Sequence, residues 1–280
     1  MTFSSKSDFY TALGRIADEL TGDGFWPAVY ELVESECQLD EFAVFHYVWS
    51  DAPRRIFDCH PSADRERLHG ELLQAAYLIG PYYNSIVKAQ ADLGFYTISD
   101  IVPDAFRESE YYRIYYREKQ ASDEGMFFVP LETGISLGLL AERRNPSPQF
   151  SDTEISWFRN ITPFLSALAR QHWKLAGTSG DRQHLKNQHM VTALECFGRD
   201  VLSTREREIV ELILRGHSSK SGARELGISP ETERVHRKRV YSKLGISSQA
   251  ELFWLFIQSV RYFNPATHND PLEILLTEDN

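Results

Sequence analysis

The most constraining feature of this chain is its punctuation between Leu202 and Leu244. Ser203 stands before a helical stripe of Ile209, Val210, Ile213 and Leu214, Glu206 follows it at capping-box spacing, and Gly216 stops the run. Ser218 can cap a second helix ending at Leu226, where Gly227 supplies a tight turn. Ser229 caps a third, with Pro230 at its first position. A serine hydroxyl satisfies amides that a helix start leaves without partners, and glycine accepts the conformation a helix end requires, so these boundaries are local chemistry. A fourth helix is expected from Ser248 to Val260, with Leu252, Leu255 and Phe256 apolar. Two helices joined by a glycine-bearing turn, the second one basic, form the helix-turn-helix pattern.

The third helix lies in SPETERVHRKRVYSKLG, residues 229 to 245, which carries five basic residues in a 280-residue chain of formal net charge -10. Residues 199 to 261 hold 12 Lys/Arg against 8 Asp/Glu, and everything else holds 18 against 32. A basic segment on an acidic body suits one nucleic-acid-facing module attached to a domain that does not touch nucleic acid, although a solvated helix face has the same charge. On a helical wheel, positions 233, 236, 240 and 244 share a stripe, and His236, Val240 and Leu244 suit a packed interior. The opposite face carries Glu231, Arg234, Val235 and Lys238. Arg234 and Lys238 are four apart and can reach one groove wall, while Val235 between them can touch a thymine methyl. Arg237, Arg239 and Lys243 flank that face and are expected on phosphates, together with Lys220, Ser229 and the Thr232 hydroxyl at the helix start. Arg239 and Lys243 equally suit the helix C-terminal dipole, and Glu231 the dipole at its start.

The segment resembles the LuxR/GerE-type DNA-binding domain over nearly its whole length. The carrying residues are LSTREREIV at 202 to 210, G-x-S-x-K at 216 to 220, ELGIS at 225 to 229 and T-x-x-V-H-R-x-R-V-x-x-K-L at 232 to 244. The resemblance implies a four-helix domain whose third helix enters the major groove of double-stranded operator DNA, with Arg234, Val235 and Lys238 where the family reads bases. It also implies a homodimer through the fourth helix, and RNA polymerase as a further partner. Two positions depart from the family pattern. Gly222 stands where relatives usually carry isoleucine, and Glu233 where they usually carry valine. Either the space left at Gly222 accommodates Glu233, in a weakened or conditionally folded domain, or Glu233 bends to solvent.

The first part alternates helices and hairpins. Amphipathic helical patterns run from Asp8 to Leu20 and from Pro27 to Cys37, followed by two strand-like runs, residues 42 to 49 and 54 to 60, split by turn residues 50 to 53. Helical patterns resume from Ala63 to Ala91 with a break at Gly80-Pro81, and another covers Phe106 to Lys119. MFFVPLETGISLGLLAERR reads as a second hairpin turning at Glu132, Thr133 and Gly134. A long helix from Ser151 to Lys174 closes the domain, with Ser151 and Glu154 in capping-box spacing. This order predicts an α+β fold, an antiparallel sheet with helices segregated around it, ahead of the all-α helix-turn-helix domain. The expected division is a sensor or dimerisation domain at 1–174, a linker at 175–195, the DNA-binding domain at 196–263 and an acidic tail at 264–280. The tail's LEILL segment is either disordered or docked on the sensor domain.

FRESEYYRIYYREKQASDEGMFFVPL (106 to 131) and FSDTEISWFRNITPFLSALARQHW (150 to 173) make the first domain similar to GAF/PAS-like sensors fused to LuxR-type regulators. The resemblance implies a sheet face that cups a small-molecule effector, with Tyr82, Tyr83, Phe95, Tyr112, Tyr116 and Phe128 as candidate lining; aromatic residues in a small domain serve equally as core. Receptors for acyl homoserine lactones are similar in layout, but they place an aspartate before a proline to hold the ligand amide, and this chain has Gly80-Pro81. A domain that only docks partners is the third alternative.

No GxSxG, P-loop, HExxH or metal-spaced Cys/His cluster occurs, and His184 and His189 fall in the expected linker, so neither an enzyme nor a cofactor is expected. The alternating strand-helix order of a phosphorylated receiver is missing. Cys37, Cys59 and Cys196 are too widely spaced for a zinc site or a disulfide framework and are expected to be reduced. Without a signal-like start or an apolar run of roughly 20 residues, the expected address is cytoplasmic, with no membrane contact.

Overall fold

The computed structural model describes residues 6–48, 53–60, 77–117, 120–176, 192–264 and 266–278. Helices α1 (Lys6–Asp18) and α2 (Phe25–Glu36) lead into strands β1 (Glu41–Val48) and β2 (Arg54–Asp58). Strand β3 (Gly94–Thr97), the long hairpin of β4 (Ala121–Glu132) and β5 (Ile135–Arg144), and helix α3 (Asp152–Ala176) follow. The strands form one antiparallel sheet in the order β2-β1-β5-β4-β3. Both expected hairpins form, and the second turns at Gly134 with φ 76°. Most of the first turn, residues 63–76 of the next helical pattern and residues 177–191 of the expected linker lie outside the described residues.

Strand alternation gives the sheet two different faces. On one, Phe42, Phe95, Phe127, Val129 and Leu139 pack against Phe25 and Leu32 of α2 and Phe158 and Leu165 of α3, an apolar layer in which Phe95 and Phe158 stack at 4.5 Å. Ser151 starts α3 as predicted, its amide donating to the Glu154 carboxylate at 2.8 Å. On the other face, Tyr47, Met126 and Phe128 meet Tyr82, Tyr83 and Ile86. Burial pushes the Cys37 thiol up to about 12, ahead of the neighbouring Glu154 charge, so it packs as a neutral group.

Two segments depart from the sequence pattern. One helix over Phe106 to Lys119 is predicted; the chain instead makes a 3-10 turn (Phe106–Glu108), one α turn (Glu110–Tyr112) and a π-helical segment (Arg113–Arg117). Ser109 causes the break. Its backbone is extended, and its hydroxyl accepts the Tyr112 amide at 3.1 Å while donating to the Phe106 carbonyl at 2.6 Å, as a helix cap does. Beyond it, rings four residues apart stack in pairs, Tyr111 on Tyr115 at 4.4 Å and Tyr112 on Tyr116 at 5.5 Å, in the wider π geometry. The other departure is β3, four residues that pair with β4 at the sheet edge and run into the one-turn helix Ile98–Ile101.

The second part contains the four expected helices, α4 (Thr204–Leu214), α5 (Ser219–Glu225), α6 (Pro230–Leu244) and α7 (Gln249–Ser259). Ser203, Ser218, Ser229 and Ser248 all act as caps. The tail adds α8 (Pro271–Glu278), whose Leu272 and Leu275 are buried against this domain. Asp270, itself buried, fixes α8 by accepting the amides of Gly198, Asp200 and Leu272 at 2.8 to 2.9 Å. LEILL therefore docks on the DNA-binding side and not on the sensor.

Candidate functional site

Helix α6 is positioned by the caps before it and by an apolar floor of Val240 and Leu244 packed on Ile209, Val210 and Ile213 of α4. Its outward side carries Arg234, Val235, Lys238 and Arg239, all exposed. Val235 is 51% exposed, an apolar side chain set among cations. Arg234 makes only a long solvent-exposed contact, 3.5 Å, to Glu231. At the start of the helix, Ser229 and Thr232 share a hydroxyl-hydroxyl hydrogen bond of 3.0 Å, and Lys220 is exposed on α5. A free row of two or three cations with a methyl-bearing side chain between them fits the edge of a DNA groove.

Two of the expected phosphate-binding residues are committed elsewhere. Arg237 turns inward, donating to Glu233 at 2.8 and 2.9 Å and to the His217 carbonyl at 3.2 Å. Lys243 donates to Glu206 at 2.6 Å, inside the capping box that starts α4. The Glu206 carboxyl, which burial alone would raise, is held below its ordinary range by Lys243 and by the Ser203 amide and hydroxyl.

The two departures in the motif meet. Glu233 is 1% exposed, and a Cβ placed on Gly222 would lie 3.7 Å from its Oε1, so the space vacated at 222 receives the glutamate. It does not bend to solvent. A buried carboxylate demands a partner, and Arg237, one helical turn on, supplies it.

In the N-terminal domain, Tyr82, Tyr83, Tyr116 and Phe128 come together on one sheet face, with Tyr112 stacked outside on Tyr116. Phe95 is not among them; it belongs to the opposite apolar layer. Motif reading missed the polar centre of this face. Strand register puts Glu41, Glu142 and Glu124 on one rung, all buried. Arg144 bridges Glu41 and Glu142. Glu124 accepts the Tyr116 hydroxyl at 2.8 Å, and Tyr82 lies close enough to feel its charge without a hydrogen bond of normal geometry. Burial first, and the Glu124 charge second, raise the Tyr82 and Tyr116 phenols above their ordinary value, so both are neutral, and Tyr116 donates to Glu124. A Cβ on Gly80 would lie 2.8 Å from the Tyr111 hydroxyl, so that phenol occupies the space an aspartate at 80 would need.

Residues 200–256 match the family model described as bacterial regulatory proteins, luxR family. The chain is 32% identical over 157 residues to an HTH-type transcriptional regulator in the exeN 3' region of Aeromonas salmonicida, an alignment covering 54% of this chain and 80% of that protein. The chain belongs to the luxR family of bacterial regulatory proteins. This luxR-family regulator is also 44% identical over 54 residues to the transcriptional regulatory protein UhpA of Escherichia coli, 19% of this chain and 28% of UhpA. Its N-terminal part has the fold of the VqsR LBD domain from Pseudomonas aeruginosa, at a TM-score of 0.52 and 21% identity over 60% of this chain and 98% of that one. It is thus a DNA-binding transcription regulator. Among the described residues no helix is long and apolar enough to cross a membrane.

Proposed function

We propose that this regulator reads operator DNA with the outward side of α6, Arg234, Val235 and Lys238 touching base edges and Arg239, Lys220, Ser229 and Thr232 touching phosphates. The observation that carries this reading is the exposed Val235 between two exposed cations, Arg234 and Lys238, a placement a merely solvated face has no reason to keep. Selection of bound genomic fragments at moderate salt tests it: recovered sites should share two related half-sites one helical turn apart, and a random collection would refute it.

The regulator acts in the cytoplasm as a homodimer. Helix α3 supports the pairing, with Phe164 and Leu175 exposed along it, whereas α7 is already packed against α4, α8 and the turn at Glu110–Tyr112. Light scattering at tens of micromolar should give twice the chain mass. The sensor domain holds a small effector on the face around Glu124 and its phenols. The missing aspartate at position 80, and the Tyr111 hydroxyl in its place, argue against an acyl homoserine lactone as that effector. A second reading, a domain that docks partners and takes no ligand, is favoured by the same face being filled by its own rings. Melting against metabolite pools separates them: a rise of several degrees supports an effector, and a flat response supports docking.

A further inference from the structure

The DNA-binding domain does not hang free of the sensor. The loop after β3 brings Asp104 to the start of α5, where its carboxylate accepts the Ser218 amide at 3.1 Å and the Ser218 and Ser221 hydroxyls, both at 2.6 Å. These are three hydrogen bonds from one domain to one carboxylate of the other, spanning more than 110 positions of sequence. Beside them the two backbones nearly touch. Gly216 sits at φ 89°, a backbone conformation that favours glycine, and a Cβ there would lie 3.0 Å from the Phe106 Cα, tighter than most side-chain contacts. Lys88 approaches Glu211 of α4 at 3.9 Å across the same boundary. Hydrogen bonds continue inward from Asp104: Ser221 meets the His217 ring at 3.1 Å, and the His217 carbonyl accepts Arg237 of α6.

We propose that Asp104 is a latch that holds the DNA-binding domain against the sensor, and that opening it strengthens DNA binding. The latched form puts a carboxylate two positions from Lys220 and brings an acidic body against the basic module, and both weaken attraction to phosphates. The latch suits reversible use because Asp104 is exposed, and hydrogen bonds at a wet boundary exchange readily with water. It is also placed to respond to the sensor. Phe106, two residues on, packs edge-on to Tyr116 at 5.4 Å, and Tyr116 in turn holds Glu124. The ionised form is secure: burial alone would raise the Asp104 carboxyl, but the Ser218 and Ser221 hydroxyls and the Ser218 and Ala105 amides hold it at about 2.

The test uses the full chain with Asp104→Ala, Asp104→Asn and Ser221→Ala, each first shown to melt cooperatively. Amide exchange over residues 216–222 and anisotropy titration of a labelled mixed-sequence duplex at fixed salt are then measured. Asp104→Ala should raise exchange in that segment about tenfold and tighten duplex binding about threefold or more. Asp104→Asn, which keeps the shape without the charge, and Ser221→Ala should move both readouts in the same direction by less, and stand in if the alanine variant does not fold. Exchange equal to wild type, or faster exchange with duplex binding unchanged or weaker, overturns the latch.

Discussion

The two sides of α6 carry the same residue types for opposite purposes. Outward, Arg234, Lys238 and Arg239 are exposed, Arg234 in a long surface ion pair with Glu231 at 3.5 Å. Arg237 faces inward and neutralises the buried Glu233, and Lys243, near the helix end and itself exposed, neutralises the buried Glu206. A count of positive charge along this helix therefore overstates its grip on DNA. What distinguishes the two sets is whether a buried carboxylate of the same domain lies within reach.

The largest expected effect lies on the inward side. Arg237→Ala leaves Glu233 buried without its cation and should cost about 3–5 kcal/mol of stability, seen as a lower urea midpoint in the full chain. On the outward side, Lys238→Ala should leave that midpoint unchanged while losing about 1–3 kcal/mol of discrimination between the operator and single-base variants of it. Loss of stability at Lys238 comparable to that at Arg237 would erase the distinction between the faces.

A smaller effect of opposite sign is expected at Gly222. Its added Cβ would meet Glu233 Oε1 and Leu212 Cδ1 at ordinary contact, 3.7 Å, so Gly222→Ala should gain up to about 1 kcal/mol from helix propensity. The smallest effect is in pH dependence. The carboxyl of Glu206 is lowered in the folded chain, so its stabilisation is full above the ordinary 4.5 and fades as pH falls through the lower folded value. Lys243→Ala should flatten that acid limb: urea midpoints should lie below wild type at neutral pH and converge with it as pH falls to about 3.

Legibility in the sequence followed the range of the interactions. The caps at Ser203, Ser218 and Ser229 act within three residues, and the domain they punctuate was readable almost to the residue. The open face of α6 followed from helical periodicity. The carboxylate partners of Arg237 and Lys243 were not legible because a wheel shows direction and not partners, and Glu206 is 37 positions from Lys243. The polar centre of the N-terminal sheet depends on register across three strands, which alternation within one strand does not specify. The break at Ser109 had a local signal, a serine ahead of a helical stretch, hidden by the aromatic run after it. Edge strand β3 is too short for a period to show.

The account rests on the division of labour along α6, and paired salt titrations measure it directly. Operator affinity is followed against salt concentration for wild type, Arg239→Ala and Lys243→Ala. Each lost phosphate contact lowers the log-log slope by about 0.9, so Arg239→Ala should show that reduction and Lys243→Ala should keep the wild-type slope. Equal reductions in the two variants, or a reduction in Lys243→Ala alone, would contradict it.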